Sequence, residues 1–156
     1  MILRTVSIIA SCLLLVLLTS AQQQTKLCDF PIKYESRNQV DPAPLSVSMV
    51  SGRVMDEVGE LGGSVKEIGP VAGACLGLFT EKEHQLRATT VADDKGRFTF
   101  GKVPAGNYRL VVRAGALCVA NVPLRVARRR SDNKGKQVVV HMRAAGYDSC
   151  SYADYK

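Results

Sequence analysis

Residues 90–110 constrain the fold more than any other part of the chain. They read as a strand, a tight turn, a short aromatic strand, a Pro-Ala-Gly turn and a further strand. Asp93-Asp94-Lys95-Gly96 supplies an Asp side chain able to close the turn on itself, and a glycine free to take a positive φ. Phe98 and Phe100 then share one face while Arg97 and Thr99 take the other, the period-2 pattern of a half-buried strand. After Val103-Pro104-Ala105-Gly106 the alternation resumes, with Tyr108, Leu110 and Val112 on one face and Asn107, Arg109 and Arg113 on the other. This pattern predicts an antiparallel β-sandwich. It carries no chemistry of its own.

The N-terminal segment follows a different rule. Met1-Ile2-Leu3-Arg4 is a short basic start, residues 8–18 are apolar, and Thr19-Ser20-Ala21 is a small-residue exit. That layout predicts a signal peptide over 1–21, and hence a secreted or periplasmic protein. The apolar run is shorter than the roughly 20 residues a membrane span needs, so no transmembrane span is expected in the mature chain. Cys12 sits inside that run rather than at its end, which argues against lipidation. Residues 22–156 are long enough for one compact domain with extensions. Net charge is +7 and tryptophan is absent; nucleic acid is not an expected partner of an exported chain without an interleaved aromatic platform. Four cysteines follow the cleavage point, Cys28, Cys75, Cys118 and Cys150. An even number in an exported chain favours two disulfides, with three connectivities open. No Cys-x-x-Cys pair occurs and no ligand set surrounds His84, so neither a metal nor any other cofactor is expected.

Residues 22–45 read as an extended leader, 46–143 as the sandwich and 144–156 as a tail pinned by Cys150. Seven strands are expected, beginning near Val50 and ending with 137–143. The stretch 56–70 between the first two is taken as a glycine-punctuated loop. Ala74, Leu76 and Leu78 face inward on the second strand. Val138, Val140 and Met142 do so on the last, leaving His141 outward. The sixth, 117–126, carries Pro123, which belongs at an edge or bulge because it cannot donate to a ladder. Short strands at this spacing with no helical period imply two packed sheets rather than a βαβ fold.

Ser51-Gly52-Arg53-Val54, Pro70-Val71-Ala72-Gly73-Ala74 and the 90–110 stretch resemble the carboxypeptidase regulatory-like domain, a transthyretin-like (prealbumin-like) sandwich. The family's Asp-x-x-Gly-x-Phe-x-Phe pattern is met at Asp93, Gly96, Phe98 and Phe100. Its Pro-Ala-Gly-x-Tyr-x-Leu pattern is met at Pro104, Ala105, Gly106, Tyr108 and Leu110. The resemblance covers about residues 46–143, departing in the long 56–70 segment and in Cys75 and Cys118. It implies a seven-stranded Greek-key sandwich and a non-catalytic accessory role, as a binding or structural module for an envelope or extracellular protein or glycan. The alternatives are a carrier of a small apolar ligand, or an accessory to a secreted peptidase or hydrolase.

Candidate chemistry is sparse. His84 lies in the charged run Glu81-Lys82-Glu83-His84 and His141 on an outer strand face; neither sits in a nucleophile motif, and both are expected at the solvated surface. Gly59-Glu60-Leu61-Gly62-Gly63-Ser64 lacks the Gly-Lys-Ser/Thr ending of a phosphate loop. Arg125, Arg128, Arg129, Arg130, Lys134 and Lys136 crowd one segment against the single acid Asp132. They are read as a solvated loop, with an anionic glycan or lipid surface as the functional alternative. Tyr108, inward with Leu110, is expected to be a core residue with a bonded hydroxyl. For the cysteines, both lying outside the β framework, the expected bridge is Cys28–Cys150. Cys75–Cys118 is the expected pair within it.

Overall fold

The computed structural model describes residues 28–30, 43–59, 65–128, 136–144 and 152–155. These form ten strands and no helix: β1 Leu45–Val47, β2 Ser51–Gly59, β3 Val65–Pro70, β4 Cys75–Thr80, β5 Leu86–Val91, β6 Arg97–Thr99, β7 Gly106–Arg113, β8 Ala120–Val126, β9 Val138–Met142 and β10 Tyr152–Tyr155. The first sheet runs β1-β8-β7-β4-β5. The second runs β10-β9-β2-β3, with β6 also paired to β2. Two pairings are parallel, β1 with β8 and β2 with β9; the others are antiparallel.

The all-β, two-sheet expectation holds, but the count of seven strands is too low. The additions are β1, β3 and β10. The stretch 56–70 is no loop: β2 continues through its first residues and β3 occupies its last six. Lys66, Glu67 and Ile68 all face solvent, so β3 lacks the buried stripe that makes a strand visible in sequence. A register shift between Asp56 and Glu57 leaves Ile68 as an extra residue between Glu67 and Gly69, a bulge of the kind that bends an edge.

Inward parity follows the sequence pattern. Val54, Leu76, Leu78, Leu110, Val112, Val138, Val140 and Met142 are fully buried between the sheets, each such side chain contributing about 1.5–3 kcal/mol relative to exposure. Phe98 and Phe100 join this core, their rings edge-on at 6.3 Å. Tyr108 is buried and its hydroxyl donates to Pro104 O at 3.0 Å, as expected. The Asp93 turn closes as its residues require. Asp93 Oδ1 accepts from Lys95 N–H at 2.9 Å and Arg97 N–H at 2.8 Å, and Gly96 adopts a φ of +70°. Arg97 N–H is the largest influence holding the Asp93 carboxyl below its ordinary value. Desolvation opposes it, while the Arg97 side chain and Lys95 N–H add to the lowering. Gly52 has a different reason. A Cβ there would stand 1.8 Å from Val138 O, so only glycine allows β9 to lie against β2. Pro123 lies opposite Arg109, one residue before the stretch of β8 that β1 covers, which keeps it at an edge on that side.

The outer face of the first sheet carries the disulfide, and here both expected pairings are overturned. Cys28 bonds to Cys75 across a sequence separation of 47, with Cα atoms 5.2 Å apart. Phe30 follows onto the same face, packing at 5.9 Å against Phe79 and touching Val111. Gly77 makes room for it, since a Cβ at that position would come within 3.2 Å of the Phe30 ring. The Arg113 guanidinium covers the ring at 5.7 Å and donates to Asp29 O at 3.4 Å. Cys75 lies opposite the aliphatic face of its strand, and that outward position is what Cys28 reaches. Neither sulfur remains for Cys150 or Cys118. Cys118 is buried, its N–H bonded to Arg143 O at 2.7 Å, and Cys150 lies outside the described residues.

Candidate functional site

The outer face of the second sheet gathers the ionisable side chains. Odd-numbered residues of β2 point outward, placing Arg53, Met55 and Glu57 in a row. Parallel pairing sets Val139 beside Arg53 and His141 beside Met55. On the far side of β9, antiparallel β10 sets Tyr152 opposite His141 and Asp154 opposite Val139. Residues directly opposite share a face, so three strands, β2, β9 and β10, converge on His141.

His141 is outward, as its parity requires, yet it is not solvated: its side chain is 12% exposed. Its Nδ1 meets Glu57 Oε1 and its Nε2 meets Asp154 Oδ1 at 3.1 Å. Tyr152 stacks on the imidazole with ring centroids 4.6 Å apart and planes 10° from parallel, and its hydroxyl donates to Glu57 Oε2 at 3.2 Å. Arg143 adds its guanidinium 3.7 Å from Glu57 Oε2 and 5.2 Å above the Tyr152 ring. Glu57, only 6% exposed, is thus a buried carboxylate with three partners, which is what makes its burial tolerable. Burial pushes the Tyr152 hydroxyl above its ordinary pKa, and the Glu57 charge pushes it further the same way.

Both imidazole nitrogens are occupied by carboxylates. A general base needs a nitrogen open toward substrate, and a metal ligand needs one open toward the ion. The arrangement works as a clamp holding β10 to β9 and β2. Among the described residues no group of three His, Cys, Asp or Glu is arranged to hold a metal ion.

Beside the clamp lies a cleft of about 340 Å³, lined by Arg53, Met55, Glu67, Gln137, Val139, His141, Asp154 and Tyr155. Met55 and Val139 give it an apolar floor; Arg53, Gln137, Glu67 and Asp154 give it a polar rim. The Tyr155 hydroxyl at its edge accepts from Ser46 N–H and donates to Ser46 O at 3.1 Å, tying this sheet to β1 of the other. A second, more apolar cleft of about 470 Å³ lies near the disulfide, among Cys28, Val71, Val91, Ala114 and Leu117.

The remaining sequence candidates do not converge. His84 sits in the β4–β5 connection with φ of 53°, away from His141. Of the basic segment, Arg125, Arg128 and Lys136 are exposed, and the Lys136 ammonium lies 5.1 Å over the Tyr155 ring. Arg129, Arg130 and Lys134 lie outside the described residues. Sequence reasoning missed Glu57, Tyr152, Asp154 and Arg143. The one available signal was the outward parity of His141, which says which face a side chain takes but not what covers it.

No protein-family model matches the chain, and no curated protein matches it. Among solved structures, catechol 1,2-dioxygenase from Pseudomonas arvilla C-1 aligns at 14% identity with a TM-score of 0.29. The alignment covers 91% of this chain and 65% of that one. Similarity at this level carries no argument about fold type, activity or cofactor.

Proposed function

We propose that this protein is an exported, non-catalytic binding module of the carboxypeptidase regulatory-like kind, a Greek-key sandwich of transthyretin-like type. Its ligand-facing surface is the cleft between β2, β9 and β10. The observation that carries this reading is the rim of that cleft: the Arg53, Gln137 and Glu67 side chains have no partner among the described residues, although they border one cavity. A preformed apolar floor with a few polar groups converging around it is the ordinary make-up of a small-ligand site. The neighbouring histidine is engaged on both nitrogens, which favours recognition over turnover. The Cys28–Cys75 bond favours a secreted or periplasmic setting, where disulfides persist. The ligand comes from an envelope or extracellular protein or glycan.

The test is a fragment screen on isotope-labelled, oxidised protein, covering sugars, amino acids, short peptides and apolar compounds. Amide shifts confined to Val139, His141 and Asp154 are the expected result. A screen in which no compound moves those amides sinks the reading. A second reading, carriage of a small apolar ligand, is favoured by the cleft beside the disulfide. It predicts that apolar compounds instead move the amides of Val71, Ala114 and Leu117.

A further inference from the structure

We infer that the cleft beside the disulfide binds a small aliphatic primary amine, its ammonium on the Asp56 carboxylate and its apolar chain against Val71, Val91, Ala114 and Leu117. This inference rests on the second of the two readings above, carriage of a small apolar ligand, and names the chemistry of that ligand.

Asp56 is an acid in an inward position. Even-numbered residues of β2 face the core: Val54 is fully buried, and Asp56 follows it on the same face. Parallel pairing sets Asp56 beside Met142, also fully buried, and antiparallel pairing sets it beside Gly69. Neither neighbour has a side chain able to pair with a carboxylate. Arg143, next along the chain, turns the other way and lies 3.7 Å from Glu57 Oε2. Asp56 itself has no ion pair or side-chain hydrogen bond among the described residues. A charge at a core-parity position breaks the pattern of its own strand, and breaks of this kind are expected at functional sites.

In front of the carboxylate is space. Asp56 opens on the cleft of about 470 Å³ at the end of the sandwich where β3 turns into β4 and β7 into β8. The other nine lining residues carry no charge, so Asp56 alone sets the electrostatic sign there. Both turns are held by backbone bonds. Val71 N–H donates to Val54 O at 3.0 Å, Gly73 N–H to Ala92 O at 3.0 Å and Leu117 N–H to Ala114 O at 2.9 Å. A Cβ at Gly73 or Gly115 would meet nothing within 4 Å, so the walls are bare at both points. The bond to Cys75 holds Cys28 in place as a further wall. Walls set in advance leave little to order on binding.

A carboxylate without a counter-charge, bordered by apolar walls, selects a cation that carries apolar surface. An ammonium donates to it in a charge-assisted bond, while the hydrocarbon leaves water against the valine, alanine and leucine side chains. A carboxylic acid of equal length meets like charge at the same point, and an alcohol offers only a neutral donor. Among the described residues no further ligand joins Asp56 to make a metal site.

The experiment is amide-shift titration of the oxidised protein with hexylamine, hexanol and hexanoate at neutral pH and low salt. Hexylamine is expected to move Val71, Ala114 and Leu117 and to bind about tenfold more tightly than hexanol, with hexanoate weaker than both. Asp56→Asn, nearly isosteric and outside every described ion pair, should bring hexylamine to the affinity of hexanol and leave the Val139 and His141 amides where they are. Raising salt on the parent protein tests the same pairing without a substitution: it should weaken hexylamine and leave hexanol unchanged. Equal affinity of the three probes, amine binding insensitive to salt, or an amine preference that survives Asp56→Asn overturns the inference. So does hexanol or hexanoate moving these amides while hexylamine does not, and that result leaves the carriage reading standing. Silence of all three probes at these amides overturns the amine assignment, and the fragment screen then decides the carriage reading by itself.

Discussion

The two ends of the described chain are fastened to opposite outer faces of the sandwich by opposite means. Cys28 and Phe30 attach to the first sheet through a covalent bond and an aromatic plug set over Gly77. Strand β10 attaches to the second sheet through a backbone ladder and a histidine held between two carboxylates. The first is centred on a disulfide, which does not titrate, and the second on ionisable side chains, Tyr152 among them. Reductant should therefore loosen the first without touching the second, and pH should act on the second without touching the first. The covered face of the first sheet is spent on stability. The polar face of the second keeps a cleft.

The largest test of that contrast is the disulfide. Replacing both Cys28 and Cys75 by Ala should cost on the order of 4 kcal/mol in urea unfolding, the chain-entropy value for a closed loop of this length. Non-reducing peptide mapping of the parent should return a Cys28 peptide joined to a Cys75 peptide. Next comes Phe30→Ala, which empties the plug and should destabilise by about 3 kcal/mol with the disulfide intact. An equal loss at β10 in hydrogen exchange would show that the two fastenings are coupled after all. His141→Ala leaves Glu57 buried with only Arg143 and Tyr152; about 2 kcal/mol should be lost, with exchange accelerated at β10 while β4 and β7 stay protected.

The smallest effect is the pH dependence. Folding raises the Tyr152 pKa, so the folded state favours the neutral phenol. The stability this contributes is complete below the unfolded value of about 10 and is lost as pH rises through the folded one. Alkaline melts should therefore steepen above that point, and Tyr152→Phe should flatten them. An unchanged slope in the variant would remove Tyr152 from the account of how β10 is held.

The inward face was legible because burial between two sheets forces a period of two. Residues 74–78, 97–100, 107–112 and 138–142 all carry it. The outer faces were not, because what covers them comes from distant sequence: Glu57 and His141 stand 84 residues apart. Strand β3 escaped notice because its outward residues hide nothing apolar, and β10 because none of its residues is buried and so no apolar stripe marks it. The disulfide misled for a related reason. Cys28 and Cys150 looked like neighbours because sandwich termini often meet, but the Cys28 segment lies on the first sheet while β10, two residues after Cys150, belongs to the second.

The parallel pairings impose an order in time. Leu45 pairs with Leu124 and Gly52 with Val138, so β1 and β2 each wait for partners synthesised long after them. Strands β4, β5, β7 and β8 close through shorter antiparallel connections and can assemble first. A chain emerging from the ribosome N-terminus first would carry β2 with one edge unpaired until β9 had followed. A chain stalled before Val138 keeps that edge open, where it can recruit a strand from a neighbour. The glycine at position 52 admits the tight approach of β9 that closes this edge, after which only β10 remains to join the sheet.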